Sequence, residues 1–311
     1  MATNKKKLIT HNGSFHADDV FATAVLSLML EKRGPARLHD GSGAGGESFE
    51  IIRTRDPEII KNGDYVYDVG GIYDEEKNRF DHHQKGGAGC RENGIEYSSF
   101  GLVWKKFGQK LIESEKGIKL IEEKLVAPID ASDNGFDLVE NKYEISPYFI
   151  QYFFYSMCPS WSEDTLSKDQ MFLKSVEIAK EVLSREIIQA RDSILAEELV
   201  LSVYNSTIDK RIIILDKDYP CEYILNKFSE PLFVVYPRTD NVSFGAKAVR
   251  EDSKTFKNRK NFPIGWAGLR DEELQKITGV ADAVFCHRGL FLAVAKTKEG
   301  AIKLAELALL V

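Results

Sequence analysis

Four short polar stretches, each containing aspartate and two of them histidine as well, constrain the fold more than any other feature of this sequence. They are residues 11–18, 68–71, 81–84 and 129–135. The first three lie at the ends of predicted strands or directly beyond them, and the fourth lies at a predicted helix end. In open α/β sheets, ligands bind outside the carboxyl ends of the strands. The pattern therefore predicts a fold that collects these polar stretches near one edge of a sheet.

The first half of the chain reads as an α/β domain. Lys7–Thr10 is β-prone, and after the polar loop Val20–Leu30 has the length and composition of a helix. Further short strands, separated by turn signals, are predicted at 49–53, 64–69 and 78–82. Apolar residues in 165–199 recur mostly at three- and four-residue intervals, which predicts a long helix joining two domains.

After residue 199 strand patterns return and alternate with helices. Strands are predicted at 211–215, 232–236, 242–249, 283–286 and 290–295, and helices at 219–228, 271–278 and 299–310. This alternation indicates a second, smaller α/β domain. The length of 311 residues also suggests two domains, which we place at 1–200 and 205–311.

The polar stretches have the composition of a metal site. Five of the six histidines precede residue 84, and four of those five lie inside the stretches. Mixed imidazole and carboxylate ligands suit Mn²⁺, Zn²⁺ or Fe²⁺, whereas Mg²⁺ prefers oxygen alone. Two ions about 3.5 to 4 Å apart bridge a phosphoryl group in known two-metal enzymes. Because no cysteine lies close by, two Mn²⁺ ions are our first choice.

Each stretch also has an ordinary structural interpretation. A lone loop histidine is more often a surface or core residue than a ligand, and Asp130 or Asp133 is typical of a turn or helix cap. Asp68 before two glycines fits a turn as well. The joint occurrence of the stretches, in order, favours the metal site.

Together the stretches resemble the melanocyte-proliferating-gene family of DHH phosphoesterases. The resemblance rests on HNGSFHADD at 11–19, YDVGG at 67–71, FDHHQ at 80–84 and IDASDNG at 129–135. It continues at Phe262-Pro263, Trp266, 268–274 and 286–288, and so covers nearly the whole chain. It implies a DHH-type domain with a mostly parallel sheet and a smaller C-terminal α/β domain over the substrate.

The resemblance also implies roles for individual residues. The implied metal ligands are His11, His16, Asp18, Asp68, His82 and Asp130. Asp68 would bridge both ions, Asp81 would orient His82, and His83 would face the substrate phosphate; these four form the predicted catalytic set. At His16 an imidazole stands where the superfamily usually has a carboxylate.

A basic segment in the second half predicts a substrate surface. It contains Arg238, Lys247, Arg250, Lys254, Lys257, Arg259 and Lys260, interleaved with Phe244, Phe256, Phe262 and Trp266. Such a mixture neutralises phosphates and stacks bases. A basic run is usually a solvated hairpin loop, but the segment as a whole favours a nucleic-acid substrate over free pyrophosphate. Arg270 and Arg288 supply two further guanidinium groups, and His287 lies at a strand end. The predicted substrate-binding residues are therefore His83, Arg238, Lys247, Trp266, Arg270, His287 and Arg288.

The function predicted from these features is metal-dependent phosphodiester hydrolysis, and the resemblance implies a 3′–5′ exonuclease on RNA or short oligonucleotides. A small-molecule phosphatase or pyrophosphatase, and a non-catalytic metal or nucleotide-binding module, remain open alternatives. The net charge of −6 means that any nucleic-acid contact must be local. Four well-separated cysteines fit a reducing cytoplasm, and the apolar run 20–30 is too short to span a membrane. The oligomeric state, including a homo-oligomer, stays open.

Overall fold

The computed structural model describes residues 5–31, 46–163, 165–239, 242–252 and 255–311. The chain divides into two compact units, Met1–Arg191 and Asp192–Val311. Among the residues in these ranges, no helix has the length and apolar character needed to cross a membrane.

The first unit contains a five-stranded sheet that is mostly parallel, as predicted. Its strands are β1 (Lys6–Thr10), β2 (Phe49–Arg53), β3 (Tyr65–Tyr67), β4 (Tyr73–Asp74) and β5 (Arg79–Phe80). Their order is β2-β1-β3-β5-β4, and only β4 runs antiparallel to its neighbour. The carboxyl ends of β1, β3 and β5 therefore lie side by side, and the first three polar stretches begin there.

Seven helices occur in the described part of this unit, the last of them crossing into the second unit. They are α1 (Ala17–Leu30), α2 (Pro57–Lys61), α3 (Ser99–Phe107), α4 (Glu115–Ile121), α5 (Ala127–Asp133), α6 (Ile150–Ser156) and α7 (Lys168–Ser206). A 3₁₀ turn, Gly108–Lys110, follows α3, and a π-helical turn, Glu122–Val126, joins α4 to α5. The predicted long helix is confirmed as α7, although it begins at Lys168 rather than at Thr165 and extends to Ser206.

The helix α1 is the centre of the core of the first unit. All its residues except Met29 are buried, which is expected of a helix whose residues are mostly apolar on every side after its first turn. Its Phe21 ring lies 5.1 Å from Phe100 on α3 and 5.3 Å from Phe154 on α6, measured between ring centroids. This packing fixes the position of the first turn of α1, where Asp18 and Asp19 lie.

The second unit is also α/β, but its sheet is mainly antiparallel. The strands β6 (Ile212–Ile214), β7 (Phe233–Pro237), β8 (Phe244–Ala248), β9 (Ala283–Cys286) and β10 (Leu292–Ala295) take the order β6-β7-β8-β10-β9, and only β6 and β7 are parallel. Its helices are α8 (Glu222–Leu225), α9 (Asp271–Thr278) and α10 (Lys298–Leu309), with a 3₁₀ turn at Ile264–Trp266. The helix α10 packs against the sheet. The α/β class predicted for both halves is therefore confirmed.

Candidate metal centre

The loop between β1 and α1 holds His11 towards the interior. His11 follows β1 directly and is 4% exposed, and its Nδ1 accepts a hydrogen bond of 3.1 Å from the backbone N–H of Gly13. A Cβ at position 13 would lie 3.2 Å from that same nitrogen, so glycine leaves room for the ring. At the start of α1 the His16 N–H donates to Asp19 Oδ1 at 2.9 Å. The loop therefore has a defined shape.

Three buried side chains meet at the end of this loop. His11 Nε2 lies 3.1 Å from Asp68 Oδ2 and 3.3 Å from Asp19 Oδ2. Asp68 comes from the end of β3, whereas Asp19 comes from the first turn of α1. One imidazole and two carboxylates thus converge in a space from which water is largely excluded.

A second group of side chains approaches the other carboxylate oxygen of Asp68 through His82. His82 Nε2 is 3.0 Å from Asp133 Oδ2, and His16 Nδ1 is 3.7 Å from Asp133 Oδ1. Candidate ligand atoms of His16, Asp18 and Asp133 all lie within 4.8 Å of one another. His82 also approaches Asp68, with 3.8 Å between Nδ1 and Oδ1. Asp68 therefore faces both groups, one with each carboxylate oxygen.

The backbone at Asp68 has a conformation that L-residues rarely adopt. Its φ is +54°, and Gly70 and Gly71 that follow have φ of +101° and +67°. Residues held in the left-handed region cost energy and cluster at functional sites. The Asp68 N–H donates to the Phe80 carbonyl of β5 at 3.3 Å, which helps to hold this turn at the sheet edge.

Several carboxylate oxygens at this edge of the sheet lack a hydrogen-bond partner among the described residues. Neither oxygen of Asp18, nor Asp19 Oδ2 or Asp68 Oδ1, has a hydrogen-bond donor among the described residues. Burial, followed by the charges of Asp133, Asp68 and Asp19, raises the pKa of Asp18 well above its usual range. Burial and the Asp68 charge likewise raise the pKa of Asp19 to about 8. Buried, unpaired carboxylate oxygens beside imidazoles have the composition and charge that a divalent cation requires.

His82 and Asp133 stabilise each other's charged forms. Burial alone would lower the pKa of His82, but the hydrogen bond and charge of Asp133, with the charges of Asp68 and Asp81, raise it overall. Burial alone would raise the pKa of Asp133, yet His82 and His16 lower it. In the metal-free protein His82 therefore keeps its proton above its ordinary pKa near ~6.5.

This protonation predicts a pH-dependent affinity for metal. A coordinating imidazole must be neutral, so a metal ion has to displace the His82 proton whenever the pH lies below the raised pKa. We expect the dissociation constant for Mn²⁺ to rise as the pH falls through the raised His82 pKa, by up to about tenfold per pH unit for displacement of that one proton. Isothermal titration calorimetry at several pH values would measure it.

Two variants make this measurement specific. His287 lies in the second unit, so His287→Gln should reproduce the wild-type pH dependence. His82→Gln should bind metal weakly and with a shallower slope, because one titrating ligand is gone. An unchanged slope in His82→Gln would contradict ligation by His82.

Asp81 orients His83 rather than His82, which corrects the expectation from sequence. Its Oδ1 lies 2.8 Å from His83 Nδ1, and its oxygens accept from the backbone N–H groups of His83 and Gly71 at 3.0 and 2.6 Å. Burial would raise the pKa of Asp81, but these donors lower it overall. The His83 side chain is 63% exposed, so its ring stands at the rim of the cluster.

Asp130 lies outside this cluster, contrary to its predicted place among the ligands. It is fully buried, with Oδ2 at 2.5 Å from Arg91 Nη2 and Oδ1 at 2.5 Å from Ser98 Oγ. Oδ1 also accepts from the Gly101 N–H at 3.0 Å. Both Asp130 oxygens therefore bind groups in the loop before α3 and in the first turn of α3. Asp133, one helical turn later, faces the histidines.

Asp19 and Asp133 are the two site residues that the sequence-based ligand set omitted. Asp133 stands inside the fourth polar stretch and Asp19 comes directly after the first, so each has a signal in the local sequence. Asp19 directly follows a predicted ligand, and Asp133 lies three residues after Asp130, a spacing that places both on one face of a helix.

The predicted substrate residues of the second unit have varied surroundings. An isolated bridge pairs Arg270 with Phe285, so Arg270 and Arg288, both exposed, lie on neighbouring segments. The half-buried His287 accepts from the Gly289 N–H at 2.9 Å. Lys247 forms an ion pair with Glu222 at 3.0 Å, and Arg238 donates its backbone N–H to Ser243. Lys254 of the basic segment lies outside the described residues.

Trp266 is a core residue, which corrects its predicted role in base stacking. Its side chain is 6% exposed and its ring centroid lies 6.0 Å from that of Phe262. We expect Trp266→Ala to lower the free energy of unfolding by about 3 kcal/mol through the cavity it leaves. Chemical denaturation would measure this loss. Phe256→Ala is the control, because Phe256 is 89% exposed, and equal stability of the two variants would contradict the core assignment.

The chain is similar to proteins from bacteria and animals. A MYG1 protein of Chlamydia trachomatis is 30% identical, covering 93% of this chain and 92% of its own. The human MYG1 exonuclease is 28% identical, and the match covers 96% of this chain and 84% of the human protein. A solved structure, the pGpG-specific phosphodiesterase PggH from Vibrio cholerae, is 13% identical, and the match covers 98% of this chain and 97% of that one. Its TM-score of 0.26 is too low to bear on fold or function. Residues 7–309 match the model of the MYG1 exonuclease family, uncharacterised protein family UPF0160, and the chain belongs to that family.

Proposed function

We propose that this protein is a divalent-metal-dependent phosphodiesterase that removes nucleotides from the 3′ end of RNA or short oligonucleotides. The observation that carries the proposal is the position of Asp68, whose two oxygens face separate groups of imidazoles and carboxylates. Membership of a family whose human protein is named an exonuclease supports the same reaction class.

The residues that would hold the metal come from four segments of the first unit. They are His11, His16, Asp18, Asp19, Asp68, His82 and Asp133. This set keeps five of the six ligands predicted from sequence, places Asp133 where Asp130 was expected, and adds Asp19. Mn²⁺ suits such mixed ligands. Bound here, two such cations supply Lewis acidity and neutralise charge at a phosphoryl group.

The chain itself supplies a positioned imidazole for substrate. Asp81 holds the His83 ring through Nδ1, so the opposite nitrogen of the exposed ring points away from Asp81. From there it can hydrogen-bond a phosphate oxygen or give a proton to the departing oxygen. Asp81 is therefore a positioning residue for His83 in this proposal.

A substrate panel tests the proposed function. With Mn²⁺, we expect a 5′-labelled short RNA to shorten stepwise and release nucleoside monophosphates, with no turnover of pyrophosphate and no cleavage after chelation by EDTA. A DNA oligonucleotide of the same sequence, assayed in parallel, shows whether ribose or deoxyribose is preferred. Turnover of pyrophosphate without cleavage of RNA would assign the protein to the small-molecule phosphatases. Metal binding without hydrolysis of any substrate would indicate a binding module.

A further inference from the structure

The helix α6 presents aromatic side chains outward beside the metal centre. Phe154 anchors the helix, since it is fully buried with its ring 5.3 Å from Phe21 of α1. Tyr152 and Tyr155 lie three residues apart, hence on one face, and are 48% and 61% exposed. Two large rings thus face away from the core that fixes their helix.

These tyrosines share one cavity with part of the candidate metal centre. The cavity has a volume of about 290 Å³ and lies within the first unit. Tyr152 and Tyr155 line it together with Gln151 on α6, and His16, Asp18 and Asp133 also line it. The helix α6 packs against α1 and α5, which carry Asp18 and Asp133. A molecule in this cavity would therefore touch aromatic rings and the proposed metal ligands together.

This combination of groups suits a nucleoside attached to a phosphate. Aromatic rings stack on the face of any nucleobase, and the cationic centre draws the phosphate. The Ser132 hydroxyl and the Gln151 amide, which also line the cavity, can hydrogen-bond the polar edge of a base. The cavity is close to the lower end of the ~300 to 1,000 Å³ typical of small-ligand sites, so it suits a single nucleoside.

We propose that Tyr152 and Tyr155 form the stacking surface for the nucleobase next to the scissile phosphate. This inference rests on the proposed function and adds that the first unit itself recognises a base. The surface lies on α6 of the first unit, whereas the sequence had pointed to Trp266 of the second, which is buried.

Equilibrium binding of two small probes tests this surface without relying on hydrolysis. Adenosine 5′-monophosphate and ribose 5-phosphate carry the same phosphate, but only the first carries a base. With Mn²⁺ present, we expect calorimetry to show tighter binding of adenosine monophosphate to the wild type. Tyr152→Ala and Tyr155→Ala should each weaken it by about 5- to 150-fold, as expected for loss of one stacking contact. Binding of ribose 5-phosphate and metal should stay as in the wild type.

Conservative and remote substitutions serve as controls. Tyr152→Phe and Tyr155→Phe keep the ring and should bind within about twofold of the wild type. Tyr143→Ala removes a ring that is 78% exposed but does not line the cavity, so it should have no effect. Equal affinity of the wild type for both probes, or alanine variants that bind adenosine monophosphate normally, would overturn the inference.

The two proposals fail in different ways. Cleavage of RNA by the wild type together with tyrosine-independent binding of adenosine monophosphate contradicts only the stacking surface. Tyrosine-dependent binding of adenosine monophosphate without cleavage of any oligonucleotide contradicts only the nuclease. An effect of Tyr152→Ala on both probes would mean that the tyrosine supports the phosphate site and would also overturn base stacking.

Discussion

Asp68→Asn is expected to remove bound metal and to reduce phosphodiester hydrolysis by more than about 100-fold. Loss of a residue that only supports a metal ligand typically costs about 10- to 100-fold, and Asp68 faces both groups of candidate ligands directly. Asparagine keeps the size of the side chain and tolerates a positive φ, so the turn after β3 should persist. Metal content by mass spectrometry and the rate of RNA cleavage measure the two effects.

A nearby aspartate gives the matched control for this prediction. Asp74 of β4 lies in the same sheet and pairs with Lys77 at 2.7 Å, away from the candidate ligands. Asp74→Asn should keep both metal and activity. Wild-type metal content together with wild-type activity in Asp68→Asn would exclude the proposed centre, whereas lost activity with intact metal would restrict Asp68 to a role in binding the substrate.

Asp130→Ala is expected to destabilise the fold by about 3 to 5 kcal/mol, the usual cost of breaking a buried ion pair by removing one partner. The substitution leaves Arg91, whose side chain is 9% exposed, without its Asp130 partner, and leaves Ser98 and the Gly101 N–H without theirs. Denaturant unfolding of the metal-free protein measures the loss. The loop before α3 would loosen first, because Arg91 and Ser98 lie there and Gly101 lies in the first turn of α3.

Asp133→Asn tests the metal centre independently of the Asp130–Arg91 ion pair. It should weaken Mn²⁺ binding strongly while leaving the metal-free protein within about 1 kcal/mol of the wild type, because it relieves repulsion on Asp18 as it loses the pair with His82. Glu186→Ala, which breaks a surface ion pair with Lys124, should cost at most about 1 kcal/mol. Loss of metal in Asp130→Ala without loss of stability would return Asp130 to the ligand set.

Local patterns in the sequence predicted much of the first unit. The strand, loop and helix around His11 were predicted because the alternation of β-prone, polar and apolar residues is visible within twenty residues. The convergence of His11, Asp68 and His82 also followed from sequence, since the polar stretches come at the ends of strands and parallel strands share an edge. The long helix α7 followed from its apolar period.

Tertiary contacts decided which of several similar side chains faces which partner. Asp130 and Asp133 lie three residues apart on α5, so spacing alone cannot separate them, and the separation depends on Arg91 meeting one and His82 the other. Asp81 precedes His82 and His83 in the sequence, and only the folded turn selects His83 as its partner. Trp266 and Tyr152 are both aromatic residues in mostly apolar stretches of the sequence, yet one is buried and the other exposed. Composition and period are local properties of a chain, whereas partners distant in sequence determine burial and pairing.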